Sequence, residues 1–225
     1  MRHPLVLIIS LVFFTLSVSA QEHVIFTYAQ PIDEKRNEDI AGAYCFFEDW
    51  SPAKLYDGTN KNYSELAVNY NGHNKTMEAT NGDGKYIVLR PEQAPRIVVQ
   101  SEGVKIPDSF NFLDSLVFVR APVPELKSDY YLVLFENENL RLLVEYNASV
   151  STTVQRPPGK IIETNRFVNK YQLILVDGGK ATLLGKKKRK LESAFKDYGS
   201  LSKWAKNNNL KMTDYETIVQ FLESL

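Results

Sequence analysis

The sequence predicts an α+β fold: a mostly antiparallel β meander, arranged as a roll, barrel or sandwich, followed by two or three short helices. Three observations carry this expectation. Apolar residues alternate along several central stretches, glycine- and asparagine-rich turns divide those stretches, and the spacing becomes helical from Lys186 onward. Strands gathered before helices, rather than alternating with them, mark an α+β chain.

Residues 1–20, MRHPLVLIISLVFFTLSVSA, carry one basic residue near the start, an apolar stretch from Pro4 to Leu16 and a Val18-Ser19-Ala20 ending. This is the pattern of a secretory signal cleaved after Ala20. The stretch is shorter than the roughly 20 residues of a membrane span, so no transmembrane anchor is expected after cleavage. Residues 21–42 read as a strand, HVIFTYA, and a charged loop, PIDEKRNED. Residues 43–185 read as the β domain, and residues 186–225 as a helical cap packed on it.

Within the β domain, the run from Glu65 to Asn71 reads as a strand, and NKTMEATNGDGKYIVLRP as a hairpin turning at Asn81-Gly82-Asp83-Gly84. Strands are expected at RIVVQSEG and at NFLDSLVFVR. The stretch from Asp129 to Asn147 reads as a second hairpin turning at Glu136 to Asn139. Its first arm, Tyr130 to Phe135, has no polar face and is expected to be covered on both sides. Its second arm alternates Leu140, Leu142, Val144 and Tyr146 with Arg141 and Glu145, as a half-buried strand does. KYQLILVDGGKATLLG predicts a third hairpin on Asp177-Gly178-Gly179. The proline-bearing APVPEL and RPPGK read as connectors between sheet segments.

Lys186 to Lys190 form an unbroken basic run. The positive end of a helix starting at Lys186 would meet like charges, so the first lysines are expected in the connector, with the helix proper centred on Leu191 to Tyr198. Leu191, Ala194, Phe195 and Tyr198 then make one apolar stripe. Gly199 reads as a stop, Ser200 as the cap of a second helix bearing Leu201, Trp204 and Ala205, and Asn207 to Asn209 as its end. A third helix is marked by Thr213 and Glu216 in capping-box relation, with Tyr215, Ile218, Val219, Leu222 and Leu225 on its apolar face. Such short helices are marginal alone and must dock.

The stretch from Gly42 to Pro91 resembles the N-terminal part of a family of uncharacterised exported proteins common in Bacteroidetes. The matching residues are Gly42, Tyr44, Trp50, Leu55, Asp57, Gly58, Leu66, Tyr70, Leu89 and Pro91. The lysine-rich C-terminal segment is similar to that family's ending. The resemblance implies a β-rich exported module with a helical end, and it brings no activity or catalytic residues.

The chain holds 27 basic and 27 acidic residues, and a single cysteine, Cys45, which excludes an internal disulfide and a cysteine-rich metal cluster. Balanced charge and one isolated basic cluster do not suit nucleic-acid binding, and no nucleic-acid partner is expected. Cys45 reads as a small core residue rather than as the nucleophile of a dyad with His73. No G-x-S-x-G elbow, H-E-x-x-H or calcium loop is present, so no catalytic residue, metal ligand or cofactor is assigned. Glu48 and Asp49 beside Trp50 are the first candidates for a carboxylate pair, but on an extended strand they would face opposite sides. The reading is a non-catalytic exported module, periplasmic or extracellular, that binds an envelope protein, or alternatively a small ligand or glycan. The residues singled out for surface or ligand contact are Trp50, Lys186, Lys187, Lys188, Arg189 and Lys190.

Overall fold

The computed structural model describes residues 30–32, 37–59, 63–80 and 86–225. The signal segment, the strand expected at HVIFTYA, His23, residues 33–36 of the charged loop and the Asn81 to Gly84 turn lie outside the described residues.

Among the described residues, eleven strands make one antiparallel sheet: β1 (Gln30–Pro31), β2 (Ser51–Tyr56), β3 (Tyr63–Asn71), β4 (Thr76–Thr80), β5 (Tyr86–Val88), β6 (Arg96–Gln100), β7 (Ser115–Arg120), β8 (Tyr130–Glu136), β9 (Leu140–Gln155), β10 (Ile162–Asp177) and β11 (Lys180–Leu184). Their spatial order is β1-β5-β4-β3-β2-β6-β7-β8-β9-β10-β11. The expected roll, barrel or sandwich is thus one linear series of strands with β1 and β11 at its edges. Two meanders share β2: one runs outward through β3, β4 and β5, and the other returns to pair β6 with β2 and continues to β11.

The expected turns form where local chemistry demands them. Asn137 Oδ1 accepts from the N–H groups of Asn139 and Leu140, which closes the β8–β9 hairpin. Gly178 and Gly179, at φ 52° and 81°, supply the left-handed pair that a two-residue hairpin loop requires. The NFLDSLVFVR strand is shorter than expected. Asp108–Phe110 form a 3-10 turn that buries Phe110, and β7 begins only at Ser115. β9 is much longer than expected, running on to Gln155, so that RPPGK is the turn between two 16-residue strands.

Three helices follow: α1 (Lys188–Ala194), α2 (Leu201–Asn207) and α3 (Tyr215–Glu223). As expected, the first lysines of the basic run stand before α1, with Lys187 as an N-cap that makes no side-chain hydrogen bond, but the helix ends at Ala194, short of Tyr198. It is held by packing, since Leu191 and Phe195 are fully buried while Lys186 to Lys190 point outward. α2 is capped as expected, with Lys203 N–H donating to Ser200 Oγ. Glu192 of α1 reinforces that end by accepting from Ser200 Oγ at 2.6 Å and from Ser202 N–H at 2.8 Å. The expected capping box at Thr213 does not form. Asp214, paired with Lys211 at 3.2 Å, takes the N-cap position, and Glu216 turns to Gln220 instead.

The main core joins sheet and helices. Leu191, Phe195, Leu201, Ala205, Ile218, Phe221 and Leu222 belong to the same cluster as the inner faces of the strands. Phe46 is its aromatic hub, with the rings of Phe47, Phe110, Phe118 and Tyr146 all 5.1–5.6 Å away. A smaller cluster of Val119, Val123, Tyr131, Leu143, Ile174 and Val176 fills the opposite face, under the connector that contains APVPEL. That second cluster explains why β8 carries no polar face. Among the described residues, no helix is long and apolar enough to cross a membrane.

Candidate functional site

The segment from Gly42 to Trp50 leads into the start of β2 and extends the sheet along the end of β3. Phe46 N–H donates to the Tyr70 carbonyl and Gly72 N–H to that of Tyr44, both at 2.8 Å, and Cys45 forms an antiparallel bridge with Asn71. Asn69 fixes the next residue along by copying a backbone pair. Its Nδ2 donates to the Phe47 carbonyl at 3.0 Å, and its Oδ1 accepts from Phe47 N–H at 3.1 Å. The chain then bends from Phe46 to Asp49, which lets it arch over the outer face of β3 and β4.

Under that arch lies a cleft of about 520 Å³, lined by Ile32, Cys45, Asn69, Tyr86, the 47–50 segment and Glu78 among others. Glu78 stands opposite Asn69 on β4 and is only 1% exposed. A buried carboxylate is tolerated only with hydrogen-bond partners, and Asn71 Nδ2 donates to Glu78 Oε1 at 2.8 Å. The remaining oxygen of Asn71 accepts from the N–H groups of His73 and Asn74, so this one amide orders both the carboxylate and the β3–β4 turn. At the mouth, the rings of Trp50 and Tyr86 lie 5.0 Å apart at 35°, with Trp50 36% exposed.

Of the residues singled out from the sequence, Trp50 lines this cleft, and Lys186 to Lys190 do not. Glu48 and Asp49 behave differently from the expectation. Because the stretch bends instead of extending, both line the same cleft as Glu78. Glu48 also pairs with Lys105 at 3.0 Å, an exposed contact of little energetic weight. Cys45 is half-buried on the cleft wall rather than in the core. His73 is outside it, with Nδ1 3.2 Å from the Ala148 carbonyl and its ring edge-on to Phe167 at 5.3 Å.

Asn69, Asn71, Glu78 and Tyr86 were missed by sequence reasoning. The one available signal was the acid at the centre of TMEAT, between Met77 and Ala79, where a short strand would be expected to be apolar. Among the described residues, no group of three or more His, Cys, Asp and Glu is placed to hold a metal ion. A second groove, of about 530 Å³, lies over β2, β3 and β6, where Pro52, Ala67 and Val98 are flanked by Lys54 and Glu65. Among the described residues no buried polar group lies on its floor, unlike the cleft under the arch.

Comparison of the chain with protein-family models, with curated proteins and with solved structures gives no match.

Proposed function

We propose that this chain is an exported, non-catalytic binding protein whose ligand is a small neutral glycan seated in the cleft between Trp50 and Glu78. The observation that carries the reading is the pairing of an aromatic mouth with a polar wall. Trp50 and Tyr86 offer ring faces to the apolar side of a sugar, while the exposed Glu48 and Asp49 offer carboxyl oxygens to its hydroxyls above the buried polar floor of Asn69 and Glu78. Three carboxylates and no basic side chain line the cleft among the described residues, which disfavours phosphorylated or acidic sugars. The volume suits one or two sugar rings, at the lower part of the usual range for ligand sites. Export rests on the signal pattern of residues 1–20.

The test is a titration of neutral and acidic oligosaccharides followed by calorimetry, with Trp50→Ala as the control. Saturable binding of a neutral sugar that Trp50→Ala abolishes supports the reading, and uniform failure across the panel refutes it. A second reading, glycan hydrolysis, is favoured by one observation, the presence of Glu48, Asp49 and Glu78 around one cleft. Release of reducing ends from a bound oligosaccharide would replace binding with turnover.

A further inference from the structure

Beyond the body of the sheet, the outer halves of β9 and β10 continue as a two-stranded ribbon, paired with each other as far as Gln155 and Ile162. β8 pairs with β9 only up to Val144. At Ala148 the edge of β9 is still occupied, because its N–H donates to the Gly72 carbonyl and its own carbonyl meets His73 Nδ1. From Ser149 onward, no described residue hydrogen-bonds to that edge.

The groups offered there follow from strand geometry. The N–H and C=O of one residue point to the same side, and the side alternates along the chain. Ala148 points both groups away from β10, so Val150, Thr152 and Val154 do the same. Their side chains also share one face of the ribbon, and Val150 and Val154 are 39% and 45% exposed. The strand from Ala148 to Gln155 contains no charge, proline or glycine. Those are the features by which edge strands ordinarily avoid pairing, and this edge has none of them.

We infer that the free edge of β9 pairs antiparallel with the same edge of a second copy, about a two-fold axis at Thr152. That axis sets Thr152 opposite Thr152 of the second copy and Val150 opposite Val154 in both directions, which buries the exposed valines against each other. Every outward N–H and C=O from 150 to 154 then finds a partner, giving about six reciprocal hydrogen bonds. An isologous pairing sets each residue against its own mirror position, so an uncharged strand with valines symmetric about its centre is suited to it. A foreign peptide strand would be selected through side-chain pockets, and a two-stranded ribbon offers none. β10 is the less suitable edge: it carries Glu163, Arg166 and Lys170, and Ala41 already bridges Arg166 there.

The test is sedimentation of the purified protein over a wide concentration range, with Thr152→Lys, Thr152→Glu and Thr152→Val as variants. Thr152 is exposed on the ribbon, so the variants are expected to keep the wild-type circular dichroism. The wild type and Thr152→Val should dimerise reversibly. Each charged variant alone should raise the dimer Kd about tenfold or more, since it sets like charges opposite each other, and an equimolar mixture of the two should restore dimers. A wild type monomeric at every concentration overturns the inference, as it would if residues 21–29 of the same chain covered the edge. Dimers that ignore both charged variants also overturn it, because they must use another surface.

Discussion

The ring of Tyr146 lies directly against the α-carbon of Gly72: a β-carbon at residue 72 would stand 2.4 Å from Tyr146 Cε1 and 3.0 Å from the backbone nitrogen of Ala148. Neither obstacle can yield easily. Tyr146 is buried, with its hydroxyl donating to the Cys45 carbonyl at 3.1 Å, and the Ala148 nitrogen itself donates to Gly72. Burial also pushes the Tyr146 hydroxyl far above the usual tyrosine range, so it stays a neutral donor. This contact joins the arch that covers the cleft to the long hairpin of β9 and β10. Replacing Gly72 by Ala should cost about 1–3 kcal/mol of stability through overpacking, read from the urea midpoint. An unchanged midpoint would mean the arch is not held at this contact.

The helices and the sheet share one core, and Phe195 is fully buried within it, 5.9 Å from the ring of Phe221. Phe195→Ala should therefore lower stability by about 3–5 kcal/mol and leave a single unfolding transition seen alike by far-ultraviolet and tryptophan signals. Two separated transitions would show that residues 186–225 unfold independently.

Burial raises the Glu192 pKa, but hydrogen bonds from Ser200 and Ser202 outweigh it and hold the carboxyl below its ordinary value. A depressed carboxyl contributes stability above its unfolded pKa, about 4.3, and loses that contribution as pH falls through the folded value. The melting temperature of Glu192→Gln should lie below that of the wild type at pH 7, and the gap should narrow as pH falls below the unfolded value of about 4.3. A gap constant with pH would assign the effect to packing instead.

Much of the fold was legible because its hairpins are local. Asp177-Gly178-Gly179 and Asn137 set their turns within a few residues, and the alternation of Leu140 to Tyr146 marked the buried half of β9. The outer half was harder to read: Ala148, Val150 and Val154 continue the alternation, but they stand among exposed serines and threonines that pack against no core. The capping box failed because Asp214, one residue on from Thr213, takes the cap position and pairs with Lys211. The cleft was legible in the contiguous Glu48, Asp49 and Trp50. Its other members come from separate stretches at Ile32, Asn69, Glu78 and Tyr86, brought together by strand pairing across the sheet.

The basic run carries no part of the cleft. Replacing Lys186 to Lys190 by glutamine should leave glycan binding within about twofold of wild type, because these side chains project from the exposed start of α1. A loss of about tenfold or more, in a variant with unaltered melting, would place the ligand against α1.

The cleft under the 42–50 arch is the proposed ligand site. The most direct measurement is a crystal structure of the protein soaked with the tightest-binding neutral oligosaccharide from the titration panel. The expected result is a sugar ring stacked on Trp50, with hydroxyls bonded to the Asp49, Asn69 or Glu78 side chains. A sugar bound elsewhere, with the cleft holding only water, would contradict it.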